Sequence, residues 1–350
     1  MTTDLAARPT APSRPGTPPE PLRRPSVIYP VTPVDLADPL RFAGLAHSWG
    51  VRCWMGHSAG IEAAHVATAA AGAGTAVPFG TAVELMPLVH PWAAARSARS
   101  VALVTGQPMV AGLGVGDPAS VARLTGRAPA SPLTYAAEYL TVVRSLLRTG
   151  RAAVQGRYLT VDTGFLPVAG PPVEVGLGVL RAGLARVAGA HADVAISWLA
   201  GPAHVSRVLV PALAEGAASV TPPGHPIDPP RLTAVVPVVL DRPGRDPAAI
   251  LRAGHALHFA QPHYRGLLAE QGVHPGSDDP LAVAQAVLAA GIALTGGPDA
   301  VVDGLVALHR AGVDEVVLNP LGVLAAEGAS AALADLTDIG AAVTARLQRN

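Results

Sequence analysis

Residues 109–118, MVAGLGVGDP, run from an apolar segment into three glycines, Gly112, Gly114 and Gly116, with Asp117 directly behind them. Glycines at the end of a strand can cradle a phosphate, let a flat ring approach the backbone, or only form a tight turn. A dinucleotide fingerprint places its third glycine three positions after the second, whereas these glycines are spaced by two throughout. The spacing excludes that fingerprint and leaves the other three interpretations open.

A second glycine pair, Gly176 and Gly178, lies in the segment VGLGVLRAGLAR, where a predicted strand leads into a predicted helix. Backbone N–H groups and the positive end of a helix dipole can hold a phosphate without any lysine. We therefore predict a phosphate site at residues 176–181. Arg181 either adds a guanidinium to that site or remains solvated, and the glycines at 112–116 would then bring a ring close to the backbone.

The charge composition removes several classes of function. All 25 basic residues are arginines, there is no lysine, and 25 acidic residues bring the formal net charge to zero. Without a basic excess we expect no nucleic acid and no anionic membrane surface as partner. Schiff-base aldolases, pyridoxal phosphate enzymes and P-loop nucleotidases each need a lysine and are excluded. Cys53 is the only cysteine, which rules out a disulfide and a zinc knuckle within the chain.

The first 25 residues carry seven prolines and no apolar core of the length that a signal peptide needs. We interpret residues 1–25 as a proline-rich tail. Glycine, proline and threonine interrupt every long apolar stretch of the remaining chain, so no membrane span is predicted. We expect a cytoplasmic protein.

From Ser26 onward, short β-branched runs alternate with alanine-rich segments of helical period. This rhythm predicts an α/β fold, a closed (β/α)8 TIM barrel formed by one domain over residues 26–350. The predicted strands are 26–31, 51–56, 75–83, 109–115, 173–177, 192–198, 232–240 and 315–319. The predicted helices are 38–49, 60–73, 91–104, 132–149, 180–190, 203–218, 246–260 and 298–311, with a closing helix at 329–347.

Two stretches exceed the repeating unit, a loop at 117–131 after the fourth strand and a helical or loop insertion at 261–290. The first emerges at the C-terminal face of the barrel, where active sites lie, and is the better candidate for a lid. His255, His258 and His263 near the second could bind a metal. However, no carboxylate completes the set, and the seventh helix is expected outside the barrel, so we predict no metal site.

Three segments carry a resemblance to a known family. They are FGTAVELMPLVHPWAAARSARSVALVTGQPMVAGLGVG, LLRTGRAAVQGRYLTVD and PPVEVGLGVLRAGLARVAGAHADVAISWLAGP. They resemble the bacterial luciferase-like flavin-dependent superfamily and, within it, the branch that uses the deazaflavin coenzyme F420. The resemblance covers residues 26–320 and is most specific in GTAV with its following HP and in the block at 176–193. It implies a luciferase-like barrel with insertion loops at its C-terminal face, where the flavin or deazaflavin ring lies.

The resemblance also nominates site residues. GTAV ends at Val83 on the third strand, where members often have a cis peptide, which implies one at Ala82–Val83. WMGH at the end of the second strand nominates His57 as the side chain over the ring. The residues expected to contact the coenzyme are Met55, Gly56, Thr81, Ala82, Val83, Gly112, Gly114, Gly116, Gly176, Leu177, Gly178, Val179, Arg181 and Trp198. The chain departs from the family at TGQP, which lacks the arginine that members carry before the fourth strand.

The resemblance implies an F420H2-dependent reductase that passes hydride to a C=C or C=N bond of a small-molecule or peptide natural product. The reaction needs one proton, for which His57 is the first candidate acid. Asp117 is the second candidate, or it only caps a turn. An FMN-dependent monooxygenase is the alternative, and a non-catalytic flavin-binding barrel is the second alternative. Arg181 and Arg186 near the phosphate site are compatible with the carboxylates of an F420 tail. Members commonly pair, so a homodimer is possible.

Overall fold

The computed structural model describes residues 22–220 and 228–349. Twelve strands lie within these residues. They are β1 (Ser26–Tyr29), β2 (Cys53–Met55), β3 (Phe79–Thr81), β4 (Glu84–Leu85), β5 (Met109–Gly114), β6 (Arg151–Gln155), β7 (Thr160–Gly164), β8 (Val173–Val179), β9 (Val194–Trp198), β10 (Arg231–Leu240), β11 (Leu294–Gly296) and β12 (Glu315–Asn319).

Eight of these strands close a barrel in the order β1, β2, β3, β5, β8, β9, β10, β12 and back to β1, and every neighbouring pair is parallel. The closing pairs join Val27 to Leu318 and Val235 to Trp198. These eight strands are the eight that the sequence predicts, so the predicted (β/α)8 barrel is confirmed. Closure leaves no free sheet edge around the barrel.

Helices surround the barrel. They are α1 (Ala37–Trp49), α2 (Ala63–Gly72), α3 (Pro91–Thr105), α4 (Pro118–Thr125), α5 (Pro132–Thr149), α6 (Ala182–His191), α7 (Pro202–His204), α8 (Val210–Ser219), α9 (Pro247–Ala260), α10 (Pro262–Glu270), α11 (Pro280–Ala289), α12 (Pro298–Arg310), α13 (Leu321–Glu327) and α14 (Ala329–Arg349). A π-helical segment, Val205–Leu209, joins α7 to α8. None of the helices in the described part of the chain combines the length and apolarity that a bilayer crossing requires.

The structure shows what the two stretches outside the repeating unit contain, of which 261–290 was predicted as helical or loop, and it adds a hairpin that the sequence prediction missed. The stretch predicted as a loop at 117–131 contains α4, and the 261–290 insertion contains α10 and α11. β6 and β7 form an antiparallel hairpin outside the barrel. Residues 1–21 of the predicted tail lie outside the described residues, but Leu22 is only 1% exposed and packs in the core. The fold therefore includes the last residues assigned to the tail, because Leu22 buries an apolar side chain there.

The barrel interior is filled by one compact apolar cluster, and a larger one lies between the barrel and its helices. Trp54 is the largest side chain of the inner cluster and is completely buried. It fits because β3 has a glycine opposite it: a Cβ at Gly80 would lie 2.5 Å from the Trp54 ring. Ile196 likewise depends on a neighbouring glycine, because a Cβ at Gly176 would lie 2.9 Å from Ile196 Cδ1. The glycines of β3 and β8 thus give space to large neighbours inside the barrel.

Charged residues close the N-terminal end of the barrel. Glu315, the first residue of β12, accepts hydrogen bonds from Trp54 Nε1 at 2.9 Å and from Ser26 Oγ at 2.7 Å. Arg231 at the start of β10 donates to Glu174 at 2.7 Å, and Arg52 lies 3.7 Å from Glu315. Carboxylates and guanidiniums alternate here, so partly buried charges are paired. This end of the molecule is structural, which leaves the opposite end for ligands.

Replacing Gly112 by alanine tests how tightly β3 and β5 approach one another. A Cβ at this position would lie 1.8 Å from the Thr81 carbonyl oxygen, a backbone atom that cannot rotate away. We expect Gly112→Ala to lower the free energy of unfolding by about 2 kcal/mol or more. Gly44 in α1 has open space around it, so Gly44→Ala should raise the free energy of unfolding by up to about 1 kcal/mol. Urea unfolding of both variants measures the difference, and equal stabilities would contradict the packing described here.

Candidate active site

A cavity of about 410 Å³ opens at the C-terminal ends of the barrel strands. Active sites of this fold lie at this face. Most of its lining comes from residues at or just after strand ends and from α9 and α10. The lining residues are Ile28, Pro30, Gly56, His57, Ala82, Val83, Leu85, Gly114, Val115, Gly116, Asp117, Gly178, Val179, Leu180, Leu184, Ile196, Ser197, Trp198, Val235, His258, Gln261, His263, Tyr264, Asn319 and Leu321.

One side of this cavity is an apolar shelf. The Ala82–Val83 peptide is cis, as the resemblance implied, and both residues line the cavity. Val83 packs where two glycines leave room: a Cβ at Gly114 would lie 2.4 Å from Val83 Cγ2, and one at Gly178 would lie 3.4 Å from Val83 Cγ1. We name Ala82, Val83, Gly114 and Gly178 the shelf. It is a small, nearly side-chain-free surface of the kind on which a flat ring can lie.

Thr81 and Gly112, two of the predicted contact residues, form hydrogen bonds with each other in the layer beneath the shelf. The Thr81 hydroxyl donates to the Gly112 carbonyl and accepts from the Gly112 N–H, both at 2.8 Å. Thr81 is buried, and its own carbonyl occupies the space next to Gly112. Gly112 therefore lets β3 approach β5, which corrects the expectation that it brings a ring close to the backbone. Gly176 likewise lies outside the cavity lining, against Ile196.

Met55 and Leu177 are also placed away from the cavity. Both are buried in the cluster between the barrel and its helices, at 1% and 0% exposure. Successive side chains of a strand point to opposite faces, and their neighbours Trp54 and Gly178 face inward. The side chains of Met55 and Leu177 therefore do not reach the cavity, and any contact of these two residues with a coenzyme would have to come from their backbone. The remaining predicted positions Gly56, Gly116, Val179 and Trp198 do line the cavity.

Arg181 joins β8 to the inserted helix α10. Its Nε donates to Glu270 Oε1 at 2.6 Å and its Nη2 donates to the His263 carbonyl at 2.9 Å. Arg186, the other arginine near the predicted phosphate site, donates to Glu215 at 2.6 Å. Both guanidiniums are thus engaged by carboxylates of the protein. Arg181 therefore connects the end of β8 to α10 and does not line the cavity.

α6 begins at Ala182, shortly after β8, the strand that carries Gly178 of the shelf. The first amide that bonds within the helix is that of Ala185, which donates to Arg181 O at 3.1 Å. The amides of Ala182, Gly183 and Leu184 precede it and are the donors that a helix leaves unsatisfied at this end. The first turn contains no acidic residue, and Leu184 lines the cavity. Free amides and a positive dipole end make this terminus suited to an anion such as a phosphate.

His57 stands at the edge of the cavity with a carboxylate behind it. Its Nδ1 lies 3.3 Å from Glu84 Oε2, and Glu84 is held on β4 against the end of β5. Burial raises the pKa of Glu84, while the hydrogen bond from His57 opposes that shift. A carboxylate acceptor at Nδ1 orients the imidazole and leaves Nε2 as the other proton-carrying position. Glu84 was missed from the sequence because it follows the shelf by one residue without any motif of its own.

Asp117 caps α4. Its Oδ2 accepts from the Ser120 amide at 2.8 Å, and this hydrogen bond is the largest cause that holds the pKa of Asp117 below its ordinary value. A carboxyl with a lowered pKa is ionised at neutral pH and cannot donate a proton there. The expectation that Asp117 is a second acid is therefore corrected in favour of the capping role. Its Oδ1 lies 3.7 Å from His263 Nδ1, at the cavity lining.

Another part of the cavity lining comes from α9 and α10, so the seventh helix, expected outside the barrel, contributes His258 to the cavity. His258, His263 and Tyr264 line the cavity, because Pro262 starts a second helix that folds over the barrel mouth. Trp198 stacks on the buried His255 ring at 5.5 Å between centroids. The segment GHALHFAQPHYR is rich in aromatic and imidazole rings and is interrupted by Pro262. This composition was the sequence signal from which the contribution of α9 and α10 to the cavity could have been predicted. Among the described residues no three histidine, cysteine or acidic side chains form a group that could hold a metal ion.

Several ring nitrogens of this part of the lining are buried without a hydrogen-bond partner. They are Trp198 Nε1, His258 Nδ1 and His263 Nδ1. Buried polar atoms are nearly always paired in folded proteins, so unpaired ones at a cavity indicate a ligand or ordered water. Burial lowers the pKa of His258 and His263, and burial is the largest cause for both. Both imidazoles are therefore neutral at pH 7, each with one donor and one acceptor nitrogen.

The C-terminal mouth of this closed parallel barrel, where enzymes of the fold carry their active sites, holds the cavity, the apolar shelf and Leu184 of the first α6 turn. Residues 19–315 match the model of one family, described as luciferase-like monooxygenase. The chain belongs to the luciferase-like monooxygenase family. No curated protein matches the chain by sequence.

Solved structures of low sequence identity share the fold. The coenzyme F420-dependent tetrahydromethanopterin reductase from Methanopyrus kandleri is 19% identical, with a TM-score of 0.69 over 93% of this chain and 99% of that one. An F420-dependent secondary alcohol dehydrogenase with an F420–acetone adduct is 17% identical, with a TM-score of 0.63 over 91% and 99%. The oxygenating constituent of 3,6-diketocamphane monooxygenase from Pseudomonas putida, bound to FMN, is 16% identical, with a TM-score of 0.65 over 92% and 98%.

The His57–Glu84 contact predicts a tautomer. With a carboxylate as acceptor, the neutral imidazole of His57 should carry its proton on Nδ1, which 15N chemical shifts of labelled histidines report directly. His57→Gln identifies the signal. Glu84→Ala should shift the population toward the Nε2-protonated form, whereas Glu62→Ala, on an exposed neighbouring carboxylate, should leave it unchanged. An Nε2-protonated His57 in the unaltered protein would show that Glu84 does not orient it.

Proposed function

We propose that this protein is an F420H2-dependent reductase that passes hydride to a C=C or C=N bond of a small-molecule or peptide natural product. The observation that carries the proposal is the free N-terminus of α6, shortly after β8, the strand to which Gly178 of the apolar shelf belongs. It offers a place for a phosphate in the same barrel mouth as a place for a flat ring. The shared fold of two F420-dependent enzymes supports the same coenzyme class.

The residues of the cavity fit such a coenzyme. The shelf and Trp198 supply apolar surface for a ring, and the amides of the first α6 turn supply donors for a phosphate in a chain without lysine. The unpaired Trp198 Nε1 offers one further donor to an acceptor on the ligand. When bound, a reduced deazaflavin supplies a hydride equivalent.

The protein must also supply one proton to the acceptor. His57 is the proposed donor in its doubly protonated form, in which one proton lies on Nδ1 toward Glu84 and the other, on Nε2, can be passed to the acceptor. Its ring lines the cavity, and a fixed ring orientation directs the transfer. Glu84 acts through His57 as a positioning residue. Asp117 has no part in the proton transfer, because its carboxylate stays ionised.

A specific observation favours a second candidate, an FMN-dependent monooxygenase. F420 ends in a tail of carboxylates, and Arg181 and Arg186 are the arginines nearest the proposed phosphate position along the chain. Both are already paired, with Glu270 and Glu215. FMN has no such tail and needs only the phosphate position, which the α6 amides supply. A solved relative of the same fold binds FMN.

Anaerobic titration of the purified chain with F420H2 and, separately, with FMN tests the two candidates. Micromolar or tighter binding of F420H2, with weaker binding of FMN, supports the reductase. The reverse order supports the monooxygenase and removes the reductase proposal. If neither compound binds at concentrations well above the protein concentration, both candidates fail.

The phosphate position is tested by a charge in the first turn of α6. A Cβ at Gly183 would make only ordinary contact with Leu133, at 3.5 Å, so a side chain fits. Gly183→Asp adds a carboxylate that favours the helix dipole and repels a phosphate, and Gly183→Asn is the neutral control. We expect Gly183→Asp to bind the preferred coenzyme roughly tenfold more weakly than Gly183→Asn, with no loss of thermal stability. Equal affinities of the two variants would place the phosphate elsewhere.

A further inference from the structure

Five residues form a continuous surface in the lining of the cavity. They are Trp198, His258, Tyr264, His263 and Asp117, which we name the Asp117 wall. Trp198 and His258 lie 5.7 Å apart between ring centroids, His258 and Tyr264 5.6 Å, and Tyr264 and His263 4.0 Å. His263 Nδ1 lies 3.7 Å from Asp117 Oδ1. Every member lines the cavity.

The Asp117 wall carries a single charge, and that charge is negative. Asp117 is ionised, the two imidazoles are neutral, and burial raises the pKa of Tyr264 to about 12, so its phenol is neutral as well. No arginine is among the described lining residues, and the chain has no lysine. Arg181 lies behind His263, where Glu270 pairs its guanidinium. The wall therefore offers a carboxylate that no lining cation neutralises.

The hydrogen-bonding groups and rings of the wall suit a cation. A neutral imidazole has one nitrogen that accepts: His258 Nδ1 is buried without a partner, and His263, whose Nδ1 faces Asp117 at 3.7 Å without a hydrogen bond, can accept at Nε2. Tyr264 and Trp198 add aromatic surface, which attracts a positive charge through the ring quadrupole. An anionic group here would meet the Asp117 carboxylate with no compensating cation. A group that donates hydrogen bonds and carries positive charge therefore meets the Asp117 carboxylate, the accepting imidazole nitrogens and the faces of the aromatic rings, whereas the Trp198 N–H is left for a neighbouring acceptor.

We propose that the Asp117 wall is a subsite for a cationic nitrogen of the substrate, a protonated amine or an iminium. The proposal depends on the proposed function in one respect only: it assigns the cationic nitrogen to the molecule that is reduced. Asp117 binds the cation as the counter-charge, His258 and His263 accept its N–H groups, and the rings of Tyr264 and Trp198 cover its apolar substituents. An iminium held here is a C=N acceptor, so the subsite selects within the class of bonds that the proposed reductase reduces.

Binding of three matched probes to the whole protein at pH 7.5 tests the subsite. The probes are 2-phenylethylamine, 2-phenylethanol and 3-phenylpropionate, measured by isothermal titration calorimetry with and without F420 or FMN. We expect the ammonium to bind about tenfold or more tightly than the carboxylate, with the alcohol between them. Equal or tighter binding of the carboxylate, or no detectable binding of the ammonium at millimolar concentration, overturns the proposal.

Asp117→Asn removes the charge and keeps a residue that caps α4 as well as aspartate does. The preference for ammonium over carboxylate should fall by about tenfold in this variant. Asp279→Asn, at the exposed cap of α11, is the matched control and should leave the preference unchanged. An unchanged preference in Asp117→Asn overturns the proposal.

The ring contribution has its own pair of variants. Tyr264→Leu should weaken ammonium binding several-fold, whereas Tyr264→Phe keeps the ring and should bind like the unaltered protein. Equal binding by these two variants would remove Tyr264 from the subsite. The coenzyme titrations in the same samples separate the two proposals: coenzyme binding without ammonium preference defeats the subsite alone. Ammonium preference without coenzyme binding defeats the proposed function alone.

Discussion

The close approach of β3 and β5 at Thr81 and Gly112 is the constraint on which the barrel mouth depends. The Thr81 carbonyl occupies the place of a side chain at position 112, and its hydroxyl bonds both the N–H and the carbonyl of Gly112. Ala82 and Val83 follow directly, so this contact sets where they enter the cavity. Gly114 and Gly178 then leave room for Val83. The shelf is thus a consequence of backbone packing one layer below it.

The two ends of the barrel carry different charges. The charged groups of one end pair with each other and stabilise the fold, whereas the other end is open to ligands. The N-terminal end has several charged groups in mutual contact, with Glu315 bonded to the Trp54 indole that fills the interior. At the C-terminal mouth Asp117 is the one carboxylate among the described lining residues, and no arginine is among them; the other lining residues are apolar, aromatic, imidazole or neutral polar. Because the chain has no lysine and Arg181 is paired with Glu270, an anion at the mouth depends on main-chain amides. A cation depends on Asp117.

Much of the fold and part of the site could be predicted from the sequence. The alternation of β-branched and alanine-rich segments indicated all eight barrel strands, because strand and helix periods are local properties. The resemblance at GTAV located the cis peptide at Ala82–Val83. Met55 and Leu177 were predicted to contact the coenzyme, but the side chains of both face the helices. Which face of a short buried strand points inward depends on the register with its neighbours, and a strand that is apolar on both faces carries no such signal.

The sequence by itself determined that the chain forms a barrel of parallel strands and that no ammonium side chain can bind an anion in it. Only the tertiary structure decided that side chains of α10 line the cavity together with Asp117. His263 and Asp117 are far apart in the chain, and they meet because α10 folds over the barrel mouth, where Arg181 holds its backbone. Composition and period are properties of the chain, whereas a contact between distant segments is set by how helices pack against one another. No local sequence pattern indicates how these helices pack.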